Sequence, residues 1–353
     1  MPAARRPAGA APPTLVEVTR GEQVESRHRG TVAVVAPSGE LVARAGDPEA
    51  PIFLRSTATP FQLAPFVASG RFDEYGLGAD ALAIMAASHS GEDRHVRTVQ
   101  AILRAAGIPT SALACGTHTP YDTETARRLI RDGEPPTPLR HNCSGKHAGM
   151  LLFAKASGWP LEGYWQPDHP VQRLALETVS ALTDHPVERI ITETDGCGVV
   201  TFGLPLRGLA TAYARLADPS AVADRPLRDA LVRIRDAMMQ YPELVAGERR
   251  RVDTALMRAL PGVAVSKGGA EGVQAVGLLA GATGRDSEPM GVALAIEDGD
   301  WARGAVGVAI SEVLRQLDAW RAVPAPLVEF ASIPILDPRG SMAGVVRPGF
   351  TLR

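Results

Sequence analysis

Five short stretches of the chain carry side chains that could do chemistry. Ser56 lies in Leu54-Arg55-Ser56-Thr57-Ala58-Thr59-Pro60-Phe61-Gln62, where a strand-like segment passes into a helix. A serine there meets the positive end of the helix dipole and its free N–H donors. Those donors could stabilise the oxyanion formed if Ser56 attacked a carbonyl, although the same position also suits a plain N-cap. Ala87-Ser88-His89-Ser90-Gly91-Glu92-Asp93 gathers hydroxyls, an imidazole and carboxylates before a second helix, with a capping loop as the competing reading. In His141-Asn142-Cys143-Ser144-Gly145-Lys146-His147, Cys143 and Lys146 are spaced i, i+3 and share a face if the segment is helical. The plainer alternative is a glycine-rich turn with a buried cysteine. Thr192-Glu193-Thr194-Asp195-Gly196-Cys197-Gly198 reads as a polar glycine turn. Ser266-Lys267-Gly268-Gly269-Ala270-Glu271-Gly272 ends a strand-like run, and small residues there let a substrate approach the backbone of an edge strand.

The lysines stand out by their scarcity. Of 37 basic residues only Lys146, Lys155 and Lys267 are lysines. Arginine serves wherever any positive charge will do, but it cannot be deprotonated in a protein, whereas lysine can act as a base or ligate a metal. The three cysteines, Cys115, Cys143 and Cys197, are an odd number. They do not read as a disulfide framework, and the default for each is a small buried apolar residue.

These residues need elements to position them. Strand patterns occur at 16–18, 30–35, 41–43, 263–267, 273–279 and 291–296, and a Pro/Gly turn joins the second and third. Helical spacing of apolar residues marks 55–68, 92–106, 123–131, 170–182, 206–216, 226–239 and 303–320. The order implies an α/β fold: an antiparallel sheet built from early and late segments, flanked by helices, with a helical lobe inserted between them. A cleft between the lobes is the expected ligand site. The chain is read as a loose tail at 1–14 and one two-lobed catalytic unit at 15–353. Its sheet lobe spans about 15–75 and 255–353, and its helical lobe about 76–254.

Composition excludes several roles. A net charge of −2 does not fit a strongly basic nucleic-acid binder or a polyacidic disordered chain. No apolar run reaches the ~18 residues of a membrane span. The stretch from Met1 to Pro13 is rich in Ala, Pro and Arg and lacks the continuous apolar segment of a secretory signal, so a cytoplasmic location is expected.

The lysine-bearing stretch at 266–272 resembles the K-T-G element of serine acyl-transfer enzymes, which pairs with an upstream S-x-x-K. Together, LRSTATPFQ, ASHSGE, HNCSGKHAGM, TDGCG, VAGERRRVDT and SKGGAEG make the chain from about Leu15 to Leu352 resemble the asparaginase II family, the Rhizobium etli type of L-asparaginase. That resemblance implies a serine β-lactamase/penicillin-binding-protein-like fold related to glutaminases and distinct from the threonine-dependent asparaginases. It implies Ser56 as the serine of an R-S-x-x-K-P motif, Ser88 as a second catalytic serine partnered with Lys267, and Cys143, Lys146 and Cys197 as zinc ligands. The sequence departs from the family at Thr59, where the pattern has lysine and the base for Ser56 is therefore missing.

The implied reaction is hydrolysis of L-asparagine to L-aspartate and ammonia through an acyl-enzyme. Arg55 is the candidate for the substrate carboxylate, and His89, Glu92, Asp195, Gly196 and Glu271 are candidates for further substrate contacts. The expected partners are this small molecule and a second copy of the chain as a homodimer, with neither nucleic acid nor membrane. Rival readings are a glutaminase, a penicillin-recognising serine hydrolase, and a zinc-dependent amino-acid-binding protein that has lost turnover through Thr59.

Overall fold

The computed structural model describes residues 11–299 and 304–353. Its strands are β1 (Thr14–Arg20), β2 (Gln23–Val35), β3 (Leu41–Ala45), β4 (Pro51–Phe53), β5 (Ile191–Thr194), β6 (Val200–Pro205), β7 (Ala264–Gly268), β8 (Val273–Leu278), β9 (Met290–Ile296), β10 (Ile333–Leu336) and β11 (Met342–Pro348). Its helices are α1 (Thr59–Ala68), α2 (Ala79–Met85), α3 (Asp93–Ala105), α4 (Thr123–Asp132), α5 (Ser144–Ala156), α6 (Pro170–Thr183), α7 (Leu206–Ala217), α8 (Arg225–Gln240), α9 (Pro242–Val245), α10 (Val252–Ala259), α11 (Ala305–Gln316) and α12 (Val328–Ala331). Of the stretch 1–14 read as a tail, residues 1–10 lie outside the described residues, and Thr14 is already in β1. Arg303, the expected start of the last long helix, also lies outside them, and that helix ends at Gln316 rather than Trp320.

Among the described residues, eight strands form one antiparallel sheet in the order β10-β11-β1-β2-β9-β8-β7, with β3 paired to β2. The early and late segments thus share a sheet, as their alternation implies. A smaller sheet, β4-β6-β5, joins the N-terminal segment to the middle of the chain. Strand β2 serves two neighbourhoods. Its first half pairs with β1, and its second half, Gly30 to Val35, pairs with β9.

The central strands are apolar on both faces because both faces are covered. Ala33, Val35, Ala275 and Ala293 join one core with residues of α1, α2, α5, α6, α7 and α8. Val32, Val34, Val276, Val292 and Leu294 point the other way, into a second core with residues of α10 and α11. This is the two-residue period of a strand read directly from its packing. Gly291 lets α7 lie flat on β9, since a Cβ there would collide with the Ala210 carbonyl. Among the described residues, no helix is long and apolar enough to cross a membrane.

Candidate active site

Ser56 falls in a single 3-10 turn, Arg55–Ala58, and α1 starts only at Thr59. Ser88 follows α2, and Lys267 lies on β7, whose register pairs it with Ala275. Ala275 faces the core that holds the helical half, so Lys267 points there too. The result is a direct contact: Lys267 Nζ is 2.5 Å from Ser88 Oγ and 2.5 Å from the Gly268 carbonyl oxygen. Lys267 is fully buried. Burial brings its pKa down to about 8, Asp253 opposes the shift and Arg251 adds to it. A buried lysine that loses its proton near neutral pH, touching a serine hydroxyl, is an activated-nucleophile arrangement.

Ser56 and Ser88 line the same cleft, of about 620 Å3, together with Tyr121, Asn142, Arg251 and Glu271. Arg55, Arg250 and Glu271 take the left-handed backbone conformation, with φ of 51°, 52° and 58°. Arg250 and Glu271 line the cleft and Arg55 directly precedes Ser56. Such backbone costs on the order of 1–3 kcal/mol per residue and concentrates where geometry serves function. Thr59 is buried, and its hydroxyl donates to the Ser56 carbonyl oxygen at 2.8 Å, closing the turn that presents Ser56.

The remaining sequence candidates fall into two groups. Arg55, Asp195, Gly196 and Glu271 are together. Arg55 Nε donates to Asp195 Oδ1 at 2.8 Å, Gly196 N–H donates to the same oxygen at 2.8 Å, and Arg55 Nη1 is 3.9 Å from Glu271 Oε1. His89 and Glu92 instead support the Ser88 loop. His89 Nε2 is 2.9 Å from Ser144 Oγ and its ring stacks on His95 with centroids 4.5 Å apart. Glu92 caps α3 and accepts from the Glu248 N–H at 2.8 Å.

Arg251 and Asp253, both in the VAGERRRVDT stretch, also belong to the site. Arg251 donates to the Ser88 carbonyl at 3.0 Å and to Ser90 Oγ at 2.9 Å, and Asp253 lies beneath β7. Nothing in their spacing marks them, because their partners are far away in sequence.

Cys143, Lys146 and Cys197 also converge. Helix α5 begins after Cys143, and Gly145 lets its first turn abut α2, where a Cβ would meet the Ile84 carbonyl. Lys146 Nζ is 3.2 Å from Cys197 Sγ and 4.0 Å from Asp195 Oδ2. The Cys197 thiol is pulled far down by a hydrogen bond from Cys143 and by the Lys146 charge, and the Cys143 thiol is pushed up by its bond to Cys197 and by burial. Burial opposes the charge of Lys146, but the two sulfurs and Asp195 outweigh it and raise its pKa. His147 places Nδ1 2.6 Å from the Tyr164 hydroxyl, and its buried ring also interacts with the Cys197 sulfur. Among the described residues, no three of His, Cys, Asp and Glu are arranged to hold a metal, so this set is a candidate only with Lys146 counted. Two sulfurs and a nitrogen in a buried pocket suit an ion that takes N and S ligands. The third lysine has a structural place, since Lys155 Nζ is 2.5 Å from the Ala106 carbonyl at the end of α3.

Three solved structures resemble this chain at low identity. They are a Bacillus glutaminase (11% identity, TM-score 0.38, covering 83% of this chain and 92% of that one), a probable glutaminase from Bacillus subtilis complexed with 6-diazo-5-oxo-L-norleucine (12%, 0.39, 83% and 85%) and a β-lactamase from Mycobacterium bovis (14%, 0.43, 82% and 95%). No curated protein matches the sequence. The family model described as L-asparaginase II matches residues 16–348, a span that contains every one of the sequence motifs, and the chain belongs to that family of amidohydrolases.

Proposed function

We propose that the protein hydrolyses the side-chain amide of L-asparagine, with Ser88 as nucleophile and Lys267 as its base. The contact between Lys267 Nζ and Ser88 Oγ carries this reading. The neutral amine keeps one N–H on the Gly268 carbonyl and turns its lone pair to the hydroxyl. It takes the Ser88 proton as Oγ attacks the amide carbon. The resulting ammonium gives that proton to the departing nitrogen, and ammonia leaves an ester on Ser88. Water then attacks the ester, losing a proton to Lys267, which returns it to Ser88 Oγ as aspartate departs.

The charged pair at the cleft supports an amino-acid substrate. Arg55 and Glu271 carry opposite charges 3.9 Å apart. That spacing complements a neighbouring α-carboxylate and α-ammonium, with the guanidinium on the carboxylate.

Cys143, Lys146 and Cys197 are assigned as zinc ligands, with Lys146 bound as the neutral amine. When bound, the ion supplies fixed positive charge beside Asp195 and the Arg55 end of the cleft.

The test is ammonia release from L-asparagine, L-glutamine and a chromogenic β-lactam. L-Asparagine should exceed L-glutamine in kcat/KM by about 10–200-fold, the range for one methylene in a fitted pocket. Preference for L-glutamine or the β-lactam would overturn the substrate assignment. Saturable binding of L-asparagine without ammonia would establish the binding-protein alternative.

A further inference from the structure

Strand β7 separates two chemistries. Lys267 lies on its front face, opposite Ala275, and Ser266 lies on the reverse, opposite Val276. Gln274, the register partner of Gly268, shares the reverse face with Ser266. Asp253, the second residue of α10, meets them there. Its Oδ1 accepts from Ser266 Oγ at 2.8 Å and from Gln274 Nε2 at 2.8 Å, and Gln274 Nε2 also reaches Ser266 Oγ at 2.9 Å. The carboxylate is only 3% exposed. Two residues earlier, Arg251 reaches the front side and holds the Ser88 carbonyl and the Ser90 hydroxyl. Residues 251 and 253 therefore straddle β7, which ends the sheet among the described residues.

We propose that Asp253 is a positioning residue for Lys267. Through Ser266 and Gln274 it clamps the back of the edge strand that carries the lysine, and its buried carboxylate is the counter-charge behind that lysine. The inference deepens the amidohydrolase reading and rests on it for the role of Lys267.

Burying a carboxylate is costly unless charges and donors compensate it. The cations that hold Asp253 ionised against its burial are Lys267 and Arg251. Lys267 in turn feels the charges of Asp253 and Arg251 and, more weakly, of Cys143 and Lys146, and touches the Ser88 hydroxyl. Burial and Arg251 push it toward the neutral amine, and Asp253 is the first opposing charge. Without Asp253 the lysine would lose its proton at lower pH and would be a weaker base.

The scarcity of lysine makes this directly measurable. Protein labelled with 13C and 15N in lysine alone gives signals from three side chains, and Lys267→Met identifies the one of interest. Asp253→Asn keeps an oxygen that can accept from Ser266 and Gln274 but removes the charge. We expect the Lys267 titration midpoint to fall by at least about one pH unit, and the acid limb of ammonia release to move with it. Ser266→Ala keeps the charge and should leave the midpoint in place. An unmoved midpoint in folded Asp253→Asn overturns the proposal. If that variant does not fold, Asp253→Asn in an Arg251→Gln background removes the buried charges together, and its midpoint must fall below that of Arg251→Gln alone. If the midpoint shifts as expected while no variant or wild type releases ammonia from asparagine, Asp253 keeps its assignment and the asparaginase reading fails.

Discussion

Lys267 Nζ touches both Ser88 Oγ and the carbonyl oxygen of the residue that follows it. The carbonyl needs an N–H from either protonation state, so only the lone pair facing Ser88 changes on titration. Lys267 loses its proton at about 8, and a base must be neutral to act. We expect kcat/KM for ammonia release to rise with pH through a single acid limb centred near that value. Lys267→Met and Ser88→Ala should each lower kcat by at least about 10²-fold, the smaller end of general-base effects. A profile flat between pH 6 and 9 would remove Lys267 as the base, and an acyl adduct trapped on Ser56 rather than Ser88 would move the nucleophile.

The Ser88 loop is packed by uncharged histidines, and this sets the acid limit of the fold. Burial holds His95 and His141 at about 4, and it lowers His89 well below 6.5. The rings of His89 and His95 stack 4.5 Å apart, where two imidazolium charges would repel. The sign follows from linkage. Between about 4 and 6.5 the unfolded chain binds protons that the folded chain refuses, so stability is full above 6.5 and falls as pH drops through that window. For His95 alone the full effect is on the order of 3 kcal/mol. Urea midpoints at pH 7.5 and pH 5 should therefore differ clearly, and His95→Gln should narrow the difference. Equal midpoints would contradict the neutral, buried assignment.

The cysteines separate into two kinds. Cys143 and Cys197 meet at Lys146, while Cys115 lies apart with its Sγ 3.6 Å from the Pro138 carbonyl oxygen and its thiol pushed up to about 12 by burial. One zinc ion per chain is expected after loading, measured by elemental analysis. Cys143→Ser and Cys197→Ser should each lose it, and Cys115→Ser should keep it. Affinity should fall at acid pH, because thiolate and amine ligands must shed protons to bind. Equal zinc uptake by the Cys143→Ser, Cys197→Ser double variant would refute the assignment.

Local pattern made part of this legible, and distant pairing decided the rest. The runs around Val32, Val265, Val276 and Val292 announce strands because both faces of the sheet are buried, and α3 and α8 show one apolar stripe each. The small sheet was not visible in this way. All four residues of β5 are exposed, so no apolar alternation marks it, and Thr192–Thr194 reads as a turn until β6 pairs with it. Helix α5 is buried on nearly every side, which erases the stripe that would announce a helix. Within the site, Lys267 is visible as one of three lysines in a glycine-rich stretch, and Ser88 as part of a cluster of hydroxyls, an imidazole and carboxylates. Asp253 is not, because its role depends on Ser266 and Gln274, which reach it only once β7 and β8 are paired.

Thr59 is where the sequence departs from the family pattern, and its geometry sharpens the consequence. It lies three residues after Ser56, within side-chain reach in a helical turn, but its hydroxyl is committed to the Ser56 carbonyl oxygen at 2.8 Å and cannot take a proton from Ser56 at neutral pH. A lysine there would add a buried cation beside the Ser56 turn, and burial would push it toward the neutral, basic form. If the missing base limits turnover, Thr59→Lys should raise kcat on L-asparagine at least about 10-fold. The gain should vanish in Thr59→Lys combined with Ser56→Ala, and in Thr59→Lys combined with Lys267→Met. An unchanged or lower kcat in a Thr59→Lys variant of normal stability would show that position 59 is no vacated base. The helical turn closed by Thr59 would then serve only to present Ser56 to the cleft, and the chemistry would stay with Ser88 and Lys267 alone, as proposed.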